Sequence, residues 1–220
     1  LLNYDDVLKC IQKHEPTLIY HLAAQSRPDV SFKDPALTIN TNVLGTLNLL
    51  KACSELPNKP KIVNASSSAV YGDIDWSIAP DESVTPKPLS PYGTSKLAQE
   101  HLMRNYFDTH SIKYVNVRIF NCTGPRKVND LVSDLCQRVV KGEFPIKVGN
   151  MSGLRSIVDV RDLVKGLILC SKLENETINL GSPLTYNVSD IVEMIVKGSE
   201  IEVDRTLFRP TDEKIIYGNI

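Results

Sequence analysis

Tyr92 and Lys96 are two residues whose types and spacing suit proton transfer. They are four positions apart in the run Ser90 to Lys96, and residues at that spacing share one face of a helix. Pro91, directly before Tyr92, is favoured at a helix start. A nearby cation lowers the pKa of a phenol from its usual value of about 10. The pair therefore predicts a general acid or base whose pKa is lowered by Lys96. The alternative is a solvated tyrosine beside a surface lysine.

Two apolar segments upstream of this pair end in small residues. Residues 61–65 are followed by three serines and lead to Gly72, and residues 17–22 are followed by Ala23 and Ala24. Both patterns are typical of buried strands. Open α/β folds bind ligands at the carboxyl edge of parallel strands. The segments therefore predict a ligand site at this edge, although the alanines alone would indicate only close packing.

Helical and strand patterns alternate along the chain. Up to Phe120 the pattern predicts helix 3–14, strand 17–23, helix 36–54, strand 60–65, helix 91–109 and strand 113–120. Beyond Phe120 it predicts helix 128–141, a short strand near 146–148, helix 159–172, strand 176–180 and helix 187–197. This alternation is typical of an α/β fold with a parallel sheet covered by helices.

Eight segments together resemble one enzyme family. They are HLAAQS, NTNVLGTLNLL, ASSSAVYG, SPYGTSK, RIFNCTGP, GLRSIVDVRD, INLG and FRPTD. In this order they resemble the extended short-chain dehydrogenase/reductase family, which comprises NAD-dependent nucleotide-sugar epimerases, dehydratases and reductases. The resemblance implies a Rossmann-like parallel sheet with helices on both faces and a small C-terminal substrate lobe. It places residues 1–120 and 159–180 in the nucleotide-binding domain, and residues 121–158 and 181–220 in the substrate lobe.

The resemblance assigns a catalytic role to three residues. Ser67 would hydrogen-bond the reacting sugar oxygen, Tyr92 would exchange its proton, and Lys96 would hold the nicotinamide ribose. The alternative for Ser67 is an ordinary hydroxyl at a strand end. Ala69 stands where 4,6-dehydratases usually carry a glutamate, and a methyl group cannot transfer a proton. A 4-epimerase is therefore expected first, a 4-keto reductase second and a dehydratase third, although GPRKVNDLVSD and FRPTD resemble GDP-sugar dehydratases and reductases.

The resemblance also implies binding residues. The cofactor NAD, with NADP as the alternative, would contact Ala23, Ala24, Asn42, Ser66, Tyr92, Lys96 and Phe120. A nucleotide-diphosphate sugar would contact Ser67, Asn121, Arg155 and Arg209, because arginine forks suit phosphate oxygens. The competing interpretation for each arginine is a surface ion pair. The competing interpretation for Asn42 is a buried helix residue that forms hydrogen bonds to neighbouring loops.

One segment typical of the family is expected to be missing. Family members begin with a strand and a G-x-x-G-x-x-G turn that holds the dinucleotide pyrophosphate, and none of the eleven glycines shows that spacing. The chain is therefore interpreted as lacking about sixty N-terminal residues by family analogy. A catalytically silent scaffold subunit is the alternative that such a chain would permit.

The composition restricts the kinds of partner that this protein is expected to bind. A net charge of −1 with 23% charged residues gives no broad basic surface for nucleic acid. No apolar stretch reaches the roughly 18 residues of a membrane span, so no membrane partner is expected.

Five widely spaced cysteines favour reduced thiols and a cytoplasmic location. The four histidines show no metal-ligand spacing, so no metal is expected, and His21 is interpreted as a core residue. The resemblance implies a homodimer through helices 36–54 and 91–109.

Overall fold

The computed structural model describes residues 1–128, 130–208, 215–216 and 218. Up to Ile119 its elements are α1 (Tyr4–His14), β1 (Leu18–His21), α2 (Pro28–Lys33), α3 (Pro35–Ile39), a π-helical turn (Asn40–Leu44), α4 (Gly45–Glu55), β2 (Lys61–Ser67), a 3₁₀ turn (Ser68–Val70), α5 (Pro91–His110) and β3 (Tyr114–Ile119). The later elements are β4 (Asn121–Thr123), α6 (Leu131–Lys141), β5 (Ile146–Val148), β6 (Leu154–Asp159), α7 (Val160–Cys170), β7 (Glu176–Leu180), β8 (Thr185–Asn187), α8 (Val188–Val196), β9 (Ile201–Val203), a 3₁₀ turn (Arg205–Leu207) and β10 (Ile215–Ile216).

The chain divides into two compact units. The first comprises Leu1–Ile74, Glu82–Ile119 and Gly166–Leu180, and the second comprises Asp75–Asp81, Phe120–Lys165 and Gly181–Ile220. The boundaries differ from those expected in three places, because 75–81 and Phe120 belong to the second unit and the return to the first begins within α7. Assigning nucleotide binding to the first unit and substrate binding to the second stays a prediction.

A parallel sheet organises the first unit. Its strands lie in the order β1-β2-β3-β7, and every neighbouring pair is parallel. Five consecutive residues of β2, from Ile62 to Ser66, are buried, as expected for a strand covered on both faces. One core cluster packs α1, α4 and α5 against the sheet through residues such as Ile11, Leu50 and Met103. The predicted α/β class with a parallel sheet is confirmed.

The second unit has smaller sheets and its own core. Strands β4 and β10 flank β6 in parallel, β8 pairs antiparallel with β6, and β5 pairs with β9. Leu135, Ile146 and Val192 are buried in a cluster formed by α6, β5 and α8. Strands β4, β8 and β9, each three residues long, and the two-residue β10 were not anticipated because such short strands carry almost no periodicity. The six-residue β6 was missed as well.

The helix predicted over 36–54 is present from Pro35 to Glu55, with a π-helical turn in its middle. It is preceded by α2 and begins one residue earlier than predicted. Asp34 separates α2 from α3 because the residue before a proline is kept out of the helical region, and its φ and ψ are −138° and 80°. The Asp34 side chain then caps α3 by accepting a hydrogen bond from the Leu37 amide at 2.8 Å.

Candidate active site

Helix α5 begins at a point fixed by local sequence. The Ser90 hydroxyl accepts a hydrogen bond from the Gly93 amide at 3.0 Å, and Pro91 occupies the first helical position. Tyr92 and Lys96 therefore lie on adjacent turns of the same helix face. Both are buried, with 9% and 3% of their surface exposed. The interpretation of this pair as solvated surface residues is excluded.

Ser67 lies beside Tyr92. It is the last residue of β2, and its hydroxyl lies close enough to the Tyr92 phenol to act on the pKa of that phenol, which it lowers. The Ser67 oxygen also accepts a hydrogen bond from the Ala69 amide at 3.2 Å. The structure thus brings together the serine and tyrosine hydroxyls that the sequence placed on separate elements.

The prediction that Lys96 lowers the pKa of Tyr92 is wrong when only the residues of this chain act on the phenol. Burial raises the pKa of Tyr92, and the Ser67 hydroxyl offsets this only in part. The Lys96 ammonium lies 5.9 Å from the centroid of the Tyr92 ring. The phenol is therefore protonated at neutral pH and ready to donate a proton.

Lys96 is held in a desolvated position. Its ammonium donates a hydrogen bond to the Ala65 carbonyl of β2 at 2.7 Å. Burial lowers the pKa of Lys96 to about 8. The pKa of His21 falls to about 4, chiefly through burial and also through the charge of Lys96. His21 contacts the Thr46 hydroxyl at 2.8 Å, as expected for a core histidine.

Close packing joins the start of α5 to the turn that follows Ser67. A Cβ added to Gly93 would lie 2.4 Å from the Ala69 carbonyl oxygen, a distance at which the backbone must move. Glycine at 93 therefore lets the helix that carries Tyr92 approach the strand that carries Ser67.

Gly93→Ala is expected to lower the free energy of unfolding by about 1–3 kcal/mol, because the extra methyl overpacks this contact. Gly45→Ala is the matched control. Its added Cβ would lie 3.1 Å from the Leu1 side chain, which can move, and alanine is favoured over glycine inside α4. Urea unfolding of both variants tests this contact, and equal stability of the two would contradict it.

Asn42 is fully buried within the π-helical turn. Its amide oxygen accepts a hydrogen bond from the Gln25 amide at 2.7 Å, and its amide nitrogen donates to the Gln25 carbonyl at 3.0 Å and to the Ser95 hydroxyl at 2.8 Å. Asn42 thus ties the loop after β1 to α5, which fits its interpretation as a residue that bonds neighbouring loops. Ala23 is exposed and Ala24 half-buried in that loop.

Ser66 points away from Ser67 into a buried polar cluster. Its hydroxyl donates a hydrogen bond to the Glu100 carboxylate on α5, and Glu100 is paired with Arg118. Sequence reasoning missed both charged residues. The available signal was Glu100 one turn beyond Lys96 and an arginine inside the apolar strand 113–120.

The remaining predicted site residues belong to the second unit. Phe120 is buried against Gly218, where an added Cβ would meet the ring at 2.3 Å. The side-chain nitrogen of Asn121 is buried and has no hydrogen-bond partner among the described residues. Arg155 lies on β6 and donates to the Leu154 carbonyl at 2.9 Å. Arg209 lies outside the described residues.

Other kinds of site find no support. The described part of the chain contains no group of three or more potential metal ligands. Burial raises the pKa of the Cys122 thiol, which disfavours the nucleophilic thiolate. None of the described helices combines the length and apolar character that a membrane span requires.

The whole chain matches a known family. A family model described as GDP-mannose 4,6 dehydratase matches residues 1–220. The chain belongs to this family. The resemblance to the extended short-chain dehydrogenase/reductases is thereby confirmed.

Curated relatives of this family member carry different activities. The chain is 33% identical to a GDP-6-deoxy-D-talose 4-dehydrogenase from Aggregatibacter actinomycetemcomitans, over 100% of the chain and 76% of the relative. It is 28% identical to a UDP-glucuronate 4-epimerase from Thermodesulfobacterium geofontis, over 100% of the chain and 69% of the relative. Two further relatives are covered over only 59% and 65% of their length.

Solved structures share the fold of this family member. The UDP-glucose 4-epimerase from Thermus thermophilus in complex with NAD superposes with a TM-score of 0.90 at 28% identity, over 99% of this chain and 74% of the other. RMD from Pseudomonas aeruginosa, complexed with NADPH, gives a TM-score of 0.89 at 28% identity, over 99% and 76%. These neighbours thus include both NAD and NADPH complexes.

Proposed function

We propose that this chain carries the catalytic residues of a nucleotide-sugar 4-epimerase. Such an enzyme oxidises the sugar C4 hydroxyl to a ketone and reduces the ketone from its other face. The observation that supports this most strongly is the proximity of the Ser67 hydroxyl to the Tyr92 phenol, on whose pKa it acts, with Lys96 one turn along the same helix.

Each of the three residues has a distinct role in the proposed reaction. In the oxidation step Tyr92, as phenolate, takes the proton of the C4 hydroxyl while C4 loses a hydride. Ser67 hydrogen-bonds the same oxygen throughout. In the reduction step the phenol returns the proton to the ketone oxygen as the hydride returns to C4. The raised pKa of Tyr92 suits this second step.

Lys96 fits a dinucleotide cofactor. An ammonium has three N–H groups, and within the described residues one of them is bonded, to the Ala65 carbonyl. Ribose hydroxyls would satisfy the other two. NAD is the proposed cofactor and NADP the alternative. Bound nicotinamide would accept and return the hydride, and its positive charge when oxidised would favour ionisation of Tyr92.

The other binding residues complete the proposal. Ala23, Ala24 and Phe120 would contact the cofactor, while Asn42 and Ser66, whose side chains bond protein groups, would support its site. Asn121, Arg155 and Arg209 would bind the diphosphate of the nucleotide sugar. A cytoplasmic homodimer is proposed, and the exposed apolar residues Leu37, Ile39 and Leu44 near α4 support such a contact.

A 4-keto reductase is the second candidate. The relative named GDP-6-deoxy-D-talose 4-dehydrogenase supports it, and a reductase would use the same serine, tyrosine and lysine. A 4,6-dehydratase ranks third despite the family's name, because Ala69 supplies no carboxylate at the position where that reaction needs one. A catalytically silent scaffold is the fourth candidate.

Incubation of the full-length protein with UDP-, GDP-, dTDP- and CDP-sugars, followed by product identification, tests these alternatives. The epimerase is expected to interconvert C4 epimers of a UDP-hexose without added cofactor. NADPH consumption in proportion to product would establish the reductase instead. Absence of any conversion across the panel, despite nucleotide-sugar binding, would support the scaffold.

A further inference from the structure

The buried residue Ser66 links β2, which carries Ser67, to α5, which carries Tyr92. Ser66, directly before Ser67 in β2, is 3% exposed and donates its hydroxyl hydrogen bond to Glu100. Glu100 lies on α5, one turn beyond Lys96 and two beyond Tyr92. Since α5 carries Tyr92 and β2 carries Ser67, this bond links the two elements whose separation sets the Ser67–Tyr92 contact.

Arg118 fixes the Glu100 carboxylate from the opposite side. Its guanidinium Nε lies 3.1 Å from Glu100 Oε1, and its Nη2 lies 2.9 Å from Oε2. This two-pronged geometry holds a carboxylate in one orientation. Both side chains are less than 8% exposed. Arg118 pairs directly with Ser66 across the β2–β3 ladder, so the three residues form one compact cluster.

The same arginine also holds the chain after Ser67. Arg118 Nη1 donates a hydrogen bond to the Tyr71 hydroxyl at 3.1 Å, and the guanidinium lies 4.9 Å from the Tyr71 ring centroid. The Tyr71 hydroxyl in turn donates to the Asn179 side chain at 2.8 Å. Ser67 is therefore flanked on both sides, at residues 66 and 71, by groups tied to the Glu100–Arg118 pair.

Stability alone gives a weak reason for such a pair. Desolvating two charges costs about as much as their attraction returns, and apolar residues of similar volume often replace a buried ion pair without loss. Orientation of neighbouring groups is a role that apolar replacements would not fill.

We propose that the Glu100–Arg118 pair is a positioning device, which sets the distance between the Ser67 and Tyr92 hydroxyls by holding Ser66 before Ser67 and Tyr71 after it. This inference rests on the proposed function, in which both hydroxyls contact the same sugar oxygen. Neither Glu100 nor Arg118 would touch substrate.

Ser66→Ala tests the device while leaving the ion pair intact. A displacement of about 1 Å in a catalytic group lowers turnover roughly a hundredfold, so kcat is expected to fall about ten- to a hundredfold with KM within about twofold. If Ser67 moves away from Tyr92, it no longer offsets the effect of burial, and the pKa of Tyr92 rises further. The acid limb of the kcat/KM profile is therefore expected to move to higher pH, with Lys96 still beside the ring. Ser66→Thr, which keeps a hydroxyl, should recover most of the rate.

Asn64→Ala is the matched control. Asn64 lies on the same face of β2, two residues before Ser66, and its side chain donates to Asn116 of β3 at 2.9 Å. Among the described residues that side chain makes no hydrogen bond to α5. The variant should lose stability to a similar extent and keep kcat within about twofold. Glu100→Gln is a second variant, expected to lose both turnover and stability because Arg118 is left unpaired.

The outcomes separate this inference from the proposed function. If Tyr92→Phe abolishes turnover but Ser66→Ala has the same kcat as Asn64→Ala, the positioning role is wrong and the proposed function stands. A rise in cofactor KM with unchanged kcat in Ser66→Ala would also overturn it, in favour of a binding contact. Unchanged turnover in Tyr92→Phe would instead remove the proposed function itself.

Discussion

Tyr92→Phe is expected to lower kcat about a thousandfold, within the range that a positioned general acid or base contributes. The variant loses only the hydroxyl that lies beside Ser67. The ring stays in its buried place, so nucleotide-sugar binding should change less than about threefold. Steady-state kinetics with the substrate identified from the sugar panel, together with calorimetric titration of that substrate, measures both quantities.

Tyr106→Phe is the control for this experiment. Tyr106 lies on the same helix, but its ring stacks on His110 with centroids 4.8 Å apart, far along α5 from Tyr92. Loss of its hydroxyl should leave kcat unchanged. Equal rates for Tyr92→Phe and the unmodified protein would defeat the catalytic assignment.

Lys96→Met is expected to abolish turnover and to stabilise the fold at neutral pH. Burial lowers the pKa of Lys96 from 10.5 to about 8, so a charged ammonium destabilises the folded state below pH 8. Each pKa unit corresponds to about 1.4 kcal/mol. Removing the charge should therefore raise the free energy of unfolding by up to about 3 kcal/mol at pH 7, reduced by loss of the bond to Ala65.

The pH dependence of this effect has a defined sign. Between about pH 8 and pH 10.5 the folded protein has released the Lys96 proton while the unfolded chain still holds it. The unmodified protein therefore gains stability as pH rises through this window. The unmodified protein should have a lower free energy of unfolding than Lys96→Met. This difference should be largest below pH 8 and should shrink toward pH 10.5. Urea unfolding across this range measures it, with Lys9→Met on the exposed face of α1 as control. A lower stability of Lys96→Met at pH 7 would contradict the account.

Local sequence was enough to predict the elements that begin with strong signals. Ser90 and Pro91 mark the start of α5, and the apolar run of β2 ends in serines as expected. Helix α2 was missed because its six residues are too few to show a helical period. Helix α6 begins at Leu131, later than the pattern predicts, because the Asp130 side chain caps it by accepting from the Ser133 amide.

The electrostatics of the site could not be predicted in the same way. The spacing of Tyr92 and Lys96 is correct, but the pKa of Tyr92 depends on how deeply both are buried, and burial is a property of the packed fold. Glu100 on α5 and Arg118 on β3 are 18 residues apart and meet only because α5 packs against the sheet that contains β3. The sequence therefore predicts which residues share a helix face, while their partners across the sheet emerge from tertiary packing.

A double-mutant cycle on kcat tests most directly whether Ser67 and Tyr92 act together on one sugar oxygen. Ser67→Ala, Tyr92→Phe and the combined variant would be compared with the unmodified full-length protein on the substrate that the panel identifies. The effects of groups that act as a unit are strongly non-additive. The kcat of the combined variant should therefore lie within about threefold of the kcat of the slower single variant. Single effects that multiply in full would show that the two hydroxyls work independently and would contradict the account.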